Sequence, residues 1–151
     1  MRIVCIYLTL VLFVSCSETP VLEESLVLPD GIWRYDQTFD FPIQVDDISE
    51  KYRLEMALTH TTDYDFQNIY TRIKTVFPNS KSATDTVSIQ LSDKYGRWFA
   101  NCNSKDCAYR VVLKDSFNFA EAGKHNLQLE QYSRTGYLEG VEEIGFALYK
   151  Y

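Results

Sequence analysis

The sequence predicts an all-β protein: a single antiparallel β-sandwich of about eight strands, following a lipoprotein signal peptide. Three observations carry this reading. Apolar and polar residues alternate with period two through most of the chain, which turns one face of each segment to a core and the other to water. Turn-forming residues stand between those segments. An uncharged apolar run at the start stops at a small residue and a cysteine.

Arg2 and the amino terminus place positive charge ahead of the uncharged run Ile3 to Val14. As a helix this run would reach about 18 Å at ~1.5 Å per residue, short of a bilayer core of about 30 Å but suited to the apolar region of a signal peptide. Phe13-Val14-Ser15-Cys16 has the pattern of a lipobox, with Phe13 where Leu is usual. Cys16 would then become the lipidated N-terminus. A plain signal peptide cut near Ser15 is the simpler alternative. The expected division is residues 1–15 as signal, 16–24 as lipidated N-terminus and polar tether containing Pro20, and 25–151 as the β-sandwich domain. Each buried methylene contributes about 0.8 kcal/mol, so several acyl chains on Cys16 would hold the protein firmly. Cys5 would leave with the signal.

The strands follow in order. Leu26-Val-Leu28 is a short one, ended by Pro29-Asp-Gly31. Phe39, Phe41, Ile43 and Val45 alternate, and Pro42 assigns their strand to an edge or a bulge. Tyr52, Leu54, Met56 and Leu58 alternate with Arg53, Glu55, Ala57 and Thr59. Ile69, Thr71, Ile73, Thr75 and Phe77 alternate with Tyr70, Arg72 and Lys74 before Pro78-Asn-Ser80. Val87, Ile89 and Leu91 make the next strand, then Val111-Val-Leu113, Leu127 to Gln131, and Ile144 to Leu148. No segment has a convincing helical period. Residues 93–108 are the longest weakly patterned stretch, where a functional or partner-binding loop is expected.

Composition removes several function classes. The chain has 21 acidic and 15 basic residues, a formal net charge of −6, and loss of Arg2 would make the exported part more acidic. No basic stripe is present for phosphate backbones, so nucleic acid is not expected as a partner. Anionic lipid would not attract this surface either, which leaves the anchoring to Cys16. There is no GxSxG elbow, HExxH, GxxxxGK[ST] or GxGxxG, and no cofactor or metal is expected. Asp63-Tyr-Asp65-Phe-Gln67 begins like a calcium loop, but Asn68 replaces the turn glycine and Lys74 the bidentate glutamate. His60 and His125 fall at strand ends, with surface or strand-end roles expected. Cys102 and Cys107, spaced C-x4-C, can form a disulfide in an exported protein, worth roughly 2 kcal/mol in the chain-entropy model. Two free thiols are the alternative.

Aromatics make up 15% of the chain, including eleven Tyr and two Trp. Exposed rings could stack on sugars or anchor a protein partner, or could pack over the open ends of a sandwich. Gly96 and Gly140 read as turn positions with positive φ that hold neighbouring side chains at set angles. The residues expected at an interaction surface are Trp33, Tyr64, Asn68, Asp93, Arg97, Trp98 and Arg134. For Trp98 the competing role is a plug at the sandwich end, and for Arg134 a pair with Glu130 or Glu139.

The sequence resembles one family over nearly its whole length. The pattern begins with the lipobox and Pro29-Asp-Gly-Ile-Trp33, then Tyr52 with its strand, Thr61-Thr-Asp-Tyr64 and Asn68-Ile69. Asp85-Thr86 precedes a strand ending Leu91-Ser-Asp93, followed by Gly96-Arg-Trp98. Gly123, Gln131, Arg134, Leu138-Glu-Gly-Val141 and Ile144-Gly145 complete it. This ordered series resembles the gliding motility lipoprotein GldH family of Bacteroidetes. The departures are Thr59-His60 where an Arg-Asn pair is usual, Tyr64 to Asn68 where Tyr-Pro-Tyr-Ser-Asn is common, and the Cys102/Cys107 loop. The resemblance implies a non-enzymatic, membrane-anchored lipoprotein of the gliding and associated secretion apparatus. Its partners would be other cell-envelope proteins, and its place the outer membrane, facing periplasm or cell surface. A surface glycan-binding module is the second function carried forward. A hydrolase using Asp63, Asp65 or Asp93 ranks last.

Overall fold

Two antiparallel sheets face each other in the computed structural model, which describes residues 18–151. The expected signal peptide and the lipidation site at Cys16 lie outside the described residues. The strands are β1 (Leu22–Val27), β2 (Ile32–Arg34), β3 (Thr38–Val45), β4 (Tyr52–Thr61), β5 (Asn68–Val76) and β6 (Ser82–Gln90). They continue with β7 (Asn101–Cys102), β8 (Asp106–Phe117), β9 (Gly123–Gln131), β10 (Tyr137–Glu139) and β11 (Val141–Lys150). One sheet has the order β1-β11-β4-β8-β7 and the other β3-β9-β5-β6, while β10 and β2 form a separate ribbon. Every pairing among the described residues is antiparallel.

The period-two pattern works as it must. Met56 and Leu58 on β4, with Ile144, Phe146 and Leu148 on β11, turn into the core. Phe41, Ile43, Ile69, Ile73, Leu127 and Leu129 meet them from the second sheet. Phe41 and Phe146 join the two layers edge to face, with ring centroids 5.0 Å apart and planes at 90°, a favoured arrangement of ring quadrupoles. Pro42 sits on β3, at an edge of its sheet, the place where a sheet tolerates a residue without an N–H.

Among the described residues eleven strands stand where about eight were expected. The additional three, β2, β7 and β10, are two or three residues long, too short for any alternation to register. β1 begins at Leu22, inside the stretch read as tether, because its residues pair from Leu22↔Leu148 to Val27↔Glu143. Gly145 permits that approach: a Cβ there would lie 2.7 Å from the Ser25 Cα. Residues 93–108 are not a long loop. A tight turn over Asp93–Arg97 closes with the Ser92↔Trp98 bridge, and a β7–β8 hairpin follows at once. Among the described residues no helix is long and apolar enough to cross a membrane.

Candidate binding groove

The last turn of β4 and the loop after it build one end of the sandwich from aromatic rings. His60 is fully buried, and its Nδ1–H donates a hydrogen bond to the Thr61 carbonyl oxygen at 2.8 Å. Trp98 packs edge-on against His60 at 4.5 Å, and its Nε1 donates to the Thr62 carbonyl at 3.2 Å. Tyr64 meets His60 from the other direction at 5.5 Å and touches Phe66 at 5.7 Å. The rings therefore form a continuous series, Trp98-His60-Tyr64-Phe66, running from the plugged end to the surface. Burial holds the His60 pKa below its ordinary value and pushes the Tyr64 phenol up. Gly140, at φ +85°, lies against this series; a Cβ there would come within 2.6 Å of the Thr61 Oγ1.

Phe66 opens onto an open groove of about 1250 Å³. One wall is the β2–β10 ribbon, tied at its end by the Tyr35 amide donating to the Gly136 carbonyl at 2.9 Å. The opposite wall is the outward face of the second sheet, with Asn68 and Tyr70 on β5, Thr86 on β6, and Tyr132 just past β9. Four rings stand partly in water around it: Tyr35 at 47% exposure, Phe66 at 41%, Tyr70 at 47% and Tyr132 at 41%. The Arg72 guanidinium covers the Tyr132 ring at 4.0 Å while pairing with Glu130 at 3.4 Å. Asn68 is held by a bond from its Nδ2 to the Ser88 Oγ at 3.0 Å.

The loop that carries Arg134 has its shape set from beneath. Gln131 is fully buried, its Oε1 accepting from the Ser133 amide at 2.8 Å and its Nε2 donating to the Thr135 carbonyl at 3.2 Å. This clamp presents Ser133, Arg134 and Thr135 to the groove.

The structure sorts the expected surface residues. Asn68 and Arg134 come together in the groove, and Glu130 is engaged with Arg72 rather than Arg134. Trp33 and Tyr64 are corrections: both are buried in the core, because the ribbon and the β4–β5 loop fold over the sandwich end. Trp98 is half-buried and packs on the core as the plug. Asp93 serves its own turn, accepting from the amides of Tyr95 and Arg97 and pairing with the Arg97 guanidinium at 2.7 Å. The Arg97 amide, ahead of its guanidinium, holds the Asp93 carboxyl below the ordinary range. Arg97 itself is exposed and does not line the groove. His60 and His125 do close and open strands, but both are buried rather than on the surface. Asp63 and Asp65 line a hollow with Asp30, Glu139 and Glu142; among the described residues no three metal-ligating groups converge.

Four groove aromatics, Tyr35, Phe66, Tyr70 and Tyr132, escaped the sequence reading. For Tyr70 a signal existed: it shares the solvent-facing phase of its strand with Arg72 and Lys74, where a ring has no core to fill. Cys102 and Cys107 stand opposite each other across the β7–β8 pair, joined as a disulfide.

A family model described as GldH lipoprotein matches residues 20–148. The chain belongs to the GldH lipoprotein family. It is similar to the gliding motility lipoprotein GldH homolog of Christiangramia forsetii, 24% identical over 149 residues, covering 94% of this chain and 91% of that protein. It is likewise 24% identical, over 148 residues, to the gliding motility lipoprotein GldH of Flavobacterium johnsoniae, covering 93% of this chain and 91% of that protein. Among solved structures, TmCBM61 in complex with beta-1,4-galactotriose overlaps 85% of this chain and 81% of its own, at a TM-score of 0.37 and 9% identity. At that TM-score the overlap bears on neither ligand nor activity. In this GldH-family chain the matched region takes in both sheets, the plug and the groove.

Proposed function

We propose that this chain is a membrane-anchored lipoprotein of the cell envelope, a non-enzymatic component of the gliding motility machinery and its associated secretion apparatus. The observation that carries the reading is the family match over residues 20–148, with two relatives named gliding motility lipoproteins that align along nearly their whole length. The anchor is the lipid on Cys16, with the domain on the outer membrane, facing periplasm or cell surface. Its partners are other envelope proteins of the apparatus. The placement of reactive groups supports a holding role over a catalytic one: both histidines are buried and Asp93 is engaged in its own turn. Purification after cross-linking in intact cells tests this. Envelope proteins of the motility or secretion apparatus should copurify, and deletion should abolish spreading or secretion. Recovery of the chain alone, with spreading and secretion intact in the deletion strain, would refute it.

A further inference from the structure

The groove rings call for an explanation that folding does not supply. Tyr70 and Tyr132 are adjacent across the β5–β9 pair, where the Tyr132 amide donates to the Tyr70 carbonyl at 2.7 Å. Both lie on the outward face of the sheet, away from the Phe41–Phe146 core. Outward positions nearby hold Arg72, Lys74, Gln128 and Glu130, as a solvated face should. Rings half in water, gathered around one hollow, fit a ligand better than a core.

We propose that this groove binds a carbohydrate chain, with Tyr70 and Tyr132 stacking on the apolar faces of sugar rings and Asn68 and Arg134 bonding to their hydroxyls. The chemistry of the lining favours sugar over the other occupants. A sugar ring offers an apolar C–H face with hydroxyls around its rim, so its site needs flat rings and planar polar groups interleaved. Here the rings alternate with an amide, a guanidinium and the hydroxyl groups of Thr86, Ser133 and Thr135. A peptide added as a strand would need free backbone groups along the groove floor, but β5 is paired with β6 along its whole length, the Tyr70 carbonyl is taken by the Tyr132 amide, and the edge strand β6 brings only Thr86 to the lining. Arg72 covers Tyr132 at 4.0 Å and Gln131 clamps the Arg134 loop, so part of the lining is ordered before any ligand arrives, which lowers the cost of binding. Neither tryptophan lines the groove. This site is independent of the protein contacts proposed above, since a lipoprotein of the motility machinery could hold a glycan, a protein or both.

The test uses the full lipidated chain in detergent, applied to an array of neutral and acidic plant, algal and bacterial oligosaccharides. The wild type should bind a defined subset. Tyr70→Ala and Tyr132→Ala should each weaken that binding at least tenfold, with melting temperatures close to wild type because both rings are half exposed. Arg134→Ala should also weaken it, by about fivefold or more. A blank array with folded wild type overturns the proposal, as does binding that both tyrosine variants leave intact. A blank array together with a cross-linked envelope protein that is lost in Tyr70→Ala would reassign the groove to a protein partner.

Discussion

The indole of Trp98 lies edge-on against the imidazole of His60, centroids 4.5 Å apart and planes inclined by 60°. One ring arrives from the turn after β6 and the other from the end of β4, so the contact closes the sandwich where the strands run out. We expect this contact to have a structural role. Trp98→Ala should cost about 3 kcal/mol or more, as large-to-small changes at packed aromatic sites do, and lower the melting point by on the order of 10 °C. Trp98→Phe keeps a ring but loses the bond to Thr62, and should cost less. A melting point for Trp98→Ala equal to wild type would show that the ring is not the plug.

The same pair sets a pH dependence. Burial lowers the His60 pKa in the folded protein, while the unfolded chain keeps a value near 6.5. Its two ring neighbours, Tyr64 and Trp98, carry no charge in this range. The unfolded state then binds the proton first on acidification. The contribution is fully present above the unfolded value and is lost as pH falls through the lowered folded one. Melting temperatures measured from about pH 7.5 to 5.5 should decline, and His60→Phe should flatten that decline. An equally steep profile in the variant would assign the dependence to other groups.

The Cys102–Cys107 bridge staples the hairpin that ends the five-stranded sheet. The unreduced protein should weigh two hydrogens less than the reduced form and resist alkylation until reduced. Cys102→Ala should lower stability by roughly 2 kcal/mol. Two alkylatable thiols in the native protein would count against the bridge.

Lipidation at Cys16 is read from the sequence. Cys16→Ser should leave the domain folded while releasing it from membranes or leaving the signal uncleaved. Labelled fatty acid should enter the wild type and not the variant. Its absence from the wild type would remove the anchor.

Alternation alone was enough to reveal six of the strands, because a residue period of two needs no partner to be visible: Met56 and Leu58 face inward wherever β4 pairs; the short apolar runs Leu26–Leu28 and Val111–Leu113 pointed to β1 and β8. Pro42 announced its edge for a similarly local reason, the missing N–H. The turn at Gly140 was legible too, since a φ of +85° is a backbone demand that glycine meets. Tertiary structure decided the rest. β2 and β10 exist because each supplies the other's hydrogen bonds across more than a hundred residues of chain. Trp33 and Tyr64 look like surface anchors by composition, and are buried because distant segments fold over them. The groove joins Tyr35, Phe66, Asn68, Tyr70, Tyr132 and Arg134 from separate segments, and no spacing along the chain encodes that meeting. Periodicity reports which way a side chain points relative to its own strand; what stands opposite it depends on how the sheets close.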